Sequence, residues 1–447
     1  MNRILLKDAT LVTPLRIIRK DLLIEGNYIA KIDNDISDEG AKVIDCHELL
    51  VLPGLIDEHV HFREPGMEQK ATILSESKAA AYGGVTSYLD MPNNNPPTLN
   101  KEALDHKKAI AKRDSVGNFG FYLGAGADNL EDIKSIDPRE YAALKVFMGS
   151  TTGNLLLEDL TKLARVFVNA NTLICTHCED TATIVENEKK AMSTYGEDIP
   201  FSMHGMIRSR EACIKSTELA LELAKESGAR LHLMHVSTAK EVDMLREFMF
   251  GNVNKRQISG EAVIPHIYFS ESFYPKLGAF LKCNPAVKTE QDRLSIIKGI
   301  DDGVITTVGT DHAPHELASK TGNYKHCASG LPSVQYSLLA LLDLWKRGEI
   351  SLETLVKVSS QNVAERFSIK NRGRIAEGYY ADLAIVNPLK PHTVTLDDIK
   401  SKCAWSPFLG HTFACSVEHT IISGNLIIEN QKQVSEISGM PLEFDRG

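Results

Sequence analysis

The stretch that decides the fold is residues 51–63, which read Val51-Leu52-Pro53-Gly54-Leu55-Ile56-Asp57-Glu58-His59-Val60-His61-Phe62-Arg63. An apolar run ends here in two histidines, His59 and His61, which are one residue apart. Successive side chains of a β-strand point to opposite faces, so both imidazoles would share a face and could bind one metal ion. The pair alone also fits an exposed strand edge, and the rest of the chain has to decide between these interpretations.

Composition limits the class of protein. The chain of 447 residues is longer than a typical single domain, but a parallel barrel with a smaller appended domain accounts for that length. A formal net charge of -9 opposes binding to nucleic acid or to an anionic membrane. The first residues turn charged too soon for a signal peptide, and no apolar stretch is long enough to span a bilayer. We therefore expect a soluble, cytoplasmic protein that acts on a small molecule.

Eight cysteines are scattered along the chain, and the one close pair is Cys175 and Cys178, on either side of His177. A zinc finger or a redox site would require a second pair at matching spacing, and the sequence has none. We therefore expect reduced thiols, most of them buried.

Both ends of the chain contain short β-like runs. Near the start two such runs flank the turn Glu25-Gly26-Asn27, and near the end two more flank Ser423-Gly424-Asn425, so each end should form a hairpin. We predict that residues 1–53 and 371–447 together form one small, discontinuous β-sandwich domain. Residues 54–370 would form the domain between them.

The middle of the chain alternates between apolar strands and helices, which is typical of parallel β/α units. Helices are predicted over residues 70–82 and 206–227, because Gly83 and Gly228 follow them as helix-ending residues. The predicted fold class is α/β, a (β/α)8 barrel of the TIM type. Its eight candidate strands are residues 55–57, 86–89, 119–123, 144–147, 172–175, 231–234, 262–264 and 304–308.

Polar side chains that can bind metal follow five of these strands. Active sites of such barrels lie at the carboxyl ends of the strands, and a coincidence at five strand ends is hard to credit, although one buried histidine alone would be structural. A lysine flanked by apolar residues needs an anionic partner or a chemical modification, and its free amine can add carbon dioxide to form a carbamate that bridges two cations. The five strand ends carry His59 with His61, Lys145, His177, His235 and Asp311.

Six motifs occur in order along nearly the whole chain: Asp57-x-His59-x-His61-x-Arg63-Glu64-Pro65-Gly66, Asp90-Met91-Pro92-Asn93, Lys145-Val146-Phe147-Met148, Thr176-His177-Cys178-Glu179, Met234-His235-Val236-Ser237 and Thr310-Asp311-His312-Ala313-Pro314-His315. Together they resemble the dihydroorotases of the amidohydrolase superfamily. The resemblance implies the reversible closure of N-carbamoyl-L-aspartate to L-dihydroorotate, a step of pyrimidine synthesis, on a centre of two zinc ions.

The resemblance also implies the role of each ligand. By position, His59, His61 and Asp311 would hold one zinc ion, His177 and His235 the other, and carboxylated Lys145 and a hydroxide would bridge the two ions. The hydroxide would be the nucleophile, because coordination lowers the pKa of water toward neutrality. Asp311 would take its proton and pass it to the departing nitrogen, acting as general base and then as general acid.

Substrate specificity should depend on the side chains that hold the substrate's carboxylate. Arg63 would lie on the strand face of His59 and His61, and its guanidinium matches a carboxylate in bidentate geometry. Asn93 and His315 would complete this clamp. Asn284 resembles the asparagine of the family's Asn-Pro substrate loop, although the family more often has Pro-Pro-Leu-Arg after it.

Two other functions stay open. Allantoinases and hydantoinases resemble this chain through the barrel but differ where Arg63 stands, and some relatives of dihydroorotases are inactive scaffolds that have lost metal ligands.

The family's substrate-contacting backbone would lie near His326, Cys327 and Ala328, where the sequence departs from the common Phe-Gly pair. The sequence leaves the oligomeric state open, although relatives are often homodimers.

Overall fold

The computed structural model describes residues 2–149, 155–251, 257–436 and 439–446. Strands from the start of the chain come first and pair with one another, because their apolar side chains alternate toward a common core. The hairpin predicted around Gly26 is present, since the second and third strands pair on either side of it. These strands are β1 (Arg3–Val12), β2 (Ile17–Glu25), β3 (Tyr28–Asp33), β4 (Lys42–Asp45) and β5 (Leu50–Pro53).

The next strands are parallel and nearly all of their residues are buried, as expected for a barrel covered by helices. They are β6 (Leu55–Val60), β7 (Val85–Asp90), β8 (Asn118–Phe121), β9 (Leu123–Gly124), β10 (Leu144–Met148), β11 (Ile174–Cys178), β12 (Leu231–Leu233), β13 (Ile258–Val263) and β14 (Ile305–Gly309).

The barrel has the eight strands that the sequence predicts. Only Tyr122 separates β8, which pairs with β7, from β9, which pairs with β10, so these two count as one barrel strand. The ring closes just beyond β14, where the backbone of His312 bonds to that of His59 and His61. The prediction at residues 262–264 found only the end of β13, because its earlier part, Ser259-Gly260-Glu261, has no alternation of apolar side chains.

Helices surround the barrel. The helix predicted over residues 70–82 begins at Ile73, capped by Thr72, and the prediction over 206–227 is wrong at its start, because Ser209 caps a new helix there. The α-helices of the described residues are α1 (Ile73–Tyr82), α2 (Lys101–Asp114), α3 (Leu130–Ser135), α4 (Leu160–Asn169), α5 (Thr181–Tyr195), α6 (His204–Ile207), α7 (Arg210–Ser227), α8 (Ala239–Phe250), α9 (Ile264–Tyr268), α10 (Tyr274–Leu277), α11 (Glu290–Asp301), α12 (Ser337–Lys346), α13 (Leu352–Val356) and α14 (Asn362–Phe367).

The end of the chain completes the sheet that the start began. Its strands are β15 (Leu383–Asn387), β16 (His392–Thr393), β17 (Thr412–Phe413), β18 (Ser416–Ile422), β19 (Asn425–Glu429) and β20 (Lys432–Gln433). Antiparallel pairing of β15 with β5 joins the two ends of the chain. Hydrogen bonds join the two ends of the chain into one nine-stranded sheet, where the sequence predicted a β-sandwich. This sheet branches at β1 and has a hydrophobic core of its own. β16 and β17 form a separate pair.

Residues 439–446 leave this sheet and contact the barrel. The amide of Leu442 donates to the carbonyl of Phe119, and Leu442 and Phe444 pack into an apolar cluster with barrel residues that include Tyr122.

All eight cysteines are buried and none forms a disulfide, which confirms the expectation of free thiols. Among the described helices, none has both the length and the apolar composition needed to cross a membrane.

Candidate active site

One pocket lies at the carboxyl ends of the barrel strands. At these ends the chain leaves the apolar strands and enters loops, whose polar side chains can face the pocket. All ten side chains predicted from the sequence line this pocket: His59, His61, Arg63, Asn93, Lys145, His177, His235, Asn284, Asp311 and His315. The structure therefore brings together residues that are up to 256 positions apart, counted from His59 to His315.

The first part of the pocket is a cluster of His59, His61 and Asp311. One oxygen of Asp311, Oδ1, lies 3.2 Å from His59 Nε2 and 3.1 Å from His61 Nε2. Three potential ligand atoms thus converge on one point, and nitrogen and carboxylate oxygen are the ligands that zinc accepts.

A second cluster lies beside the first. His177 Nδ1 is 2.9 Å from His235 Nε2, and the rings of His59 and His235 are 5.4 Å apart between centroids. Lys145 is buried, with its Nζ 2.9 Å from Met234 Sδ and no ion pair to a carboxylate among the described residues. Burial lowers the pKa of Lys145, which favours the neutral amine that carbamate formation requires.

The outer nitrogens of three histidines have fixed partners. His59 Nδ1 donates to Glu261 Oε2 at 2.8 Å, and His61 Nδ1 donates to Asn93 Oδ1 at 2.8 Å. His177 Nε2 lies 3.0 Å from Glu179 Oε2, and Arg208 also pairs with that carboxylate. Because Glu261 and Asn93 accept the N–H of His59 and His61, the lone pair of the other nitrogen of each of these two rings faces the cluster, as in metal sites.

The protonation states of His59, His61 and Asp311 suit metal binding. Burial lowers the pKa of His59 to about 3 and that of His61 to about 4, so both rings are neutral at pH 7. Burial alone would raise the pKa of Asp311, but the neighbouring His59 and His61 lower it below its ordinary value and keep the carboxylate charged. Neutral imidazole and ionised carboxylate are the forms that bind metal, so these residues fit a divalent metal centre.

Two buried carboxylates, Glu179 and Glu261, lie beside the histidines of this site. Glu179 follows His177 by two residues in the sequence, and its complete burial beside His177 favours an orienting role over a solvated one. Glu261 was missed. The available signal was a lone acid inside an otherwise uncharged strand that ends at the active face of the barrel.

The other side of the pocket holds Arg63. The prediction that Arg63 continues the strand face of the histidines is wrong, because β6 ends at Val60 and Arg63 has a positive φ of 71°. This turn still directs the side chain into the pocket, where Nε donates to the carbonyl of Pro314 at 3.2 Å. Arg63 is only 7% exposed and forms no ion pair with a carboxylate in the described part of the chain.

Around Arg63 lie groups that can contact a bound molecule. His315 Nε2 is 3.3 Å from Arg63 Nη2 and 2.9 Å from the carbonyl of Ser329. Asn284 Oδ1 is buried and has no hydrogen-bond partner in the described residues, so it can accept a bond from a ligand. The predicted clamp residue Asn93 lines the same pocket while its Oδ1 accepts from His61.

The loop after β14 reaches the pocket later than expected. Ser329 and Gly330 line it, whereas the expected contacts at residues 326–328 do not. Two buried lysines bind the backbone of this loop. Lys282 Nζ donates to the carbonyl of Cys327, and Lys320 Nζ donates to those of Ala328 and Gly330. His312, next to Asp311 in the sequence, faces away from the predicted ligands and bonds to Glu76 at 2.8 Å outside the pocket.

Known proteins with similar sequences include dihydroorotases and allantoinases. The sequence model described as the amidohydrolase family matches residues 50–427. A dihydroorotase from Halobacterium salinarum is 34% identical over 404 residues, which cover 88% of this chain and 89% of that protein. An allantoinase from Desulfitobacterium hafniense is 27% identical over 452 residues and 98% of each chain.

Solved structures share the fold. The L-hydantoinase (dihydropyrimidinase) from Arthrobacter aurescens superposes with a TM-score of 0.93 at 24% identity, over 99% of this chain and 100% of that one. At this level of identity the likeness concerns the barrel and the sheet domain and not the substrate.

Proposed function

The chain belongs to the amidohydrolase family, and we propose that within this family it is a zinc-dependent dihydroorotase. It would interconvert N-carbamoyl-L-aspartate and L-dihydroorotate, a step of pyrimidine (UMP) biosynthesis. Relatives named dihydroorotase, at 30% identity and above over most of the chain, support this proposal. The observation that carries it is Arg63, a buried cation beside the candidate metal-binding cluster that has no carboxylate partner in the described residues.

Arg63 distinguishes among cyclic amides. Dihydroorotate carries a carboxylate on its ring, whereas allantoin and hydantoin carry none. Burial lowers the pKa of Arg63 to about 10, so the guanidinium is still charged at pH 7. A charged and partly desolvated guanidinium gains most from a ligand that brings a carboxylate, so the pocket favours dihydroorotate over uncharged rings.

The proposed cofactors are two zinc ions. His59, His61 and Asp311 would hold one ion, His177 and His235 the other, and carboxylated Lys145 would bridge them. The carbamate forms when the lysine amine attacks the carbon of carbon dioxide and releases one proton, which leaves a charged carbamate on Nζ. When bound, the ions would supply a water activated at neutral pH and a Lewis acid for the ring amide.

The side chains of the pocket divide the remaining work. Asp311 would accept the proton of the attacking water and return it to the departing ring nitrogen, and its 13% exposed side chain is open to the pocket. Arg63 and His315 would hold the carboxylate, and Asn93 would assist them. Asn284 would accept a hydrogen bond from the ring through its unpaired Oδ1.

The direct test is a substrate panel on protein of known zinc content. Purified protein should open L-dihydroorotate, fail to open allantoin at a comparable rate, and contain about two zinc ions per chain. A preference for allantoin or hydantoin would instead make the chain another cyclic-amide hydrolase. Absence of turnover on all rings at full zinc content would favour an inactive scaffold. The cytoplasmic location stays a prediction, and the oligomeric state stays open.

A further inference from the structure

We propose that Glu261 is a positioning residue that couples the two metal positions, so that its loss weakens both ions together. The inference rests on the proposed metal centre and adds a residue to which the sequence assigned no role. One carboxylate, outside the set of direct ligands, would hold a ligand of each ion in place.

The geometry of a single oxygen carries the argument. Glu261 Oε2 accepts a bond from His59 Nδ1 at 2.8 Å and another from the backbone N–H of His235, also at 2.8 Å. His59 belongs to the cluster with Asp311, and His235 to the cluster with His177. Glu261 is fully buried on β13, between the strands that lead to the two clusters.

The bond to His235 also stabilises an unfavourable backbone. β12 ends at Leu233, and His235 then adopts a φ of 39°, in the left-handed region that side chains other than glycine rarely occupy. This conformation turns the His235 amide toward the barrel, where Glu261 accepts from it. Without that acceptor the backbone is free to relax, and the imidazole would leave its place 2.9 Å from His177 Nδ1.

The other orienting groups act on one cluster each. Among the described residues, the Asn93 side chain bonds to His61 alone. The Glu179 carboxylate is paired with one histidine of the site, His177, at 3.0 Å. A substitution at Glu179 should therefore weaken one ion, whereas a substitution at Glu261 should weaken both. This contrast separates coupling from a general loss of stability.

The experiment measures zinc release from the holoenzyme into a chromogenic chelator. Removing an orienting partner of a metal ligand typically costs about 10- to 100-fold in metal affinity. For Glu261→Gln we expect both ions to leave faster than in the wild type by a factor of this order. For Glu179→Gln we expect only one ion to leave faster, and for Glu186→Gln, an exposed acid on α5, neither.

Each result has a defined meaning. Faster release of one ion only, or of neither, from Glu261→Gln would overturn the coupling, whereas a wild-type protein that binds no zinc would refute the proposed function instead. If Glu261→Gln does not fold, as judged by circular dichroism, Glu261→Asp serves in its place. Its shorter carboxylate keeps the charge but cannot reach both donors, so it should also release both ions faster.

Discussion

The metal-binding side of the pocket and its substrate side are built differently. On the metal side His59 and His177 lie within barrel strands, and each has its outer nitrogen held by a buried carboxylate. On the substrate side Arg63 and Asn284 lie on loops, and neither has a carboxylate partner among the described residues. Three other proposed ligands, His61, His235 and Asp311, lie one or two residues beyond the ends of β6, β12 and β14. The proposed metal centre thus depends on the strands and their immediate ends, whereas the proposed substrate contacts lie on loops that can change without disturbing the strands.

The largest expected effect concerns Lys145 on the metal side. In Lys145→Ala the proposed bridge is lost, so we expect kcat for dihydroorotate to fall by about a thousandfold or more, because metal ions stabilise the transition state by several kcal/mol. Steady-state kinetics and zinc analysis on the same sample check this. Lys190→Ala, at an exposed lysine paired with Glu186, is the matched control and should behave as wild type. Full activity of Lys145→Ala would contradict the bridging role.

Arg63 provides the corresponding change on the substrate side. Hydrogen bonds to charged groups contribute about 1.5–3 kcal/mol, so Arg63→Met should raise KM for dihydroorotate by about 10- to 150-fold. Zinc content should stay at the wild-type value, because in the described part of the chain Arg63 bonds to Pro314 and His315 and to no predicted metal ligand. An unchanged KM would remove the carboxylate assignment, and a loss of zinc would mean that the two sides are not separate.

Acid should lower the free energy of unfolding of the zinc-free protein, because two histidines of the metal side are buried in their neutral form. In the zinc-free protein, burial lowers the pKa of His59 to about 3 and of His61 to about 4, whereas both are near 6.5 when unfolded. Between these values the unfolded chain binds more protons, so the free energy of unfolding decreases as the pH falls below 6.5. Each histidine contributes a slope of about 1.4 kcal/mol per pH unit. Urea unfolding at pH 7 and pH 5 measures it, and a His59→Asn, His61→Asn variant should flatten the slope.

The smallest effect is expected at Asn284. Its Oδ1 would accept one neutral hydrogen bond from the substrate, and such a bond contributes about 0.5–1.5 kcal/mol, so Asn284→Ala should lower kcat/KM by about tenfold or less. Kinetics of the purified variant, with zinc content as a control, give the answer. A decrease as large as that of Lys145→Ala would place Asn284 in the reaction itself.

The same contrast describes what the sequence could predict. The positions of His59 and His177 follow from apolar strands and the rule that barrel sites lie at carboxyl ends, so they could be derived in advance. Lys145 is the second residue of β10, and the sequence marked it by its apolar neighbours instead. The lone charge of Glu261 within β13 could have marked it, but its contact with His59 could not be predicted, because the two are 202 positions apart and no local pattern links them. The turn at Arg63 was hidden for a related reason, since a positive φ in a residue other than glycine leaves no mark in the sequence.

The loop after β14 shows where motif comparison fails. The resemblance aligned the family's substrate contacts with residues 326–328, but the pocket is lined by Ser329 and Gly330 instead. Lys282 and Lys320 bind backbone carbonyls of this loop, at Cys327, Ala328 and Gly330. These bonds are made by side chains to backbone atoms, and such bonds depend on the folded loop and not on a repeated pattern.

The most direct test of the account compares two substrates that differ only in the carboxylate. L-dihydroorotate and 5,6-dihydrouracil share a ring, and dihydrouracil lacks the group that Arg63 is proposed to hold. On protein with two zinc ions per chain, we predict a kcat/KM for dihydroorotate at least about a hundredfold higher, and a loss of most of that preference in Arg63→Met. An equal or higher kcat/KM for dihydrouracil on the wild-type protein would contradict the assignment as a dihydroorotase.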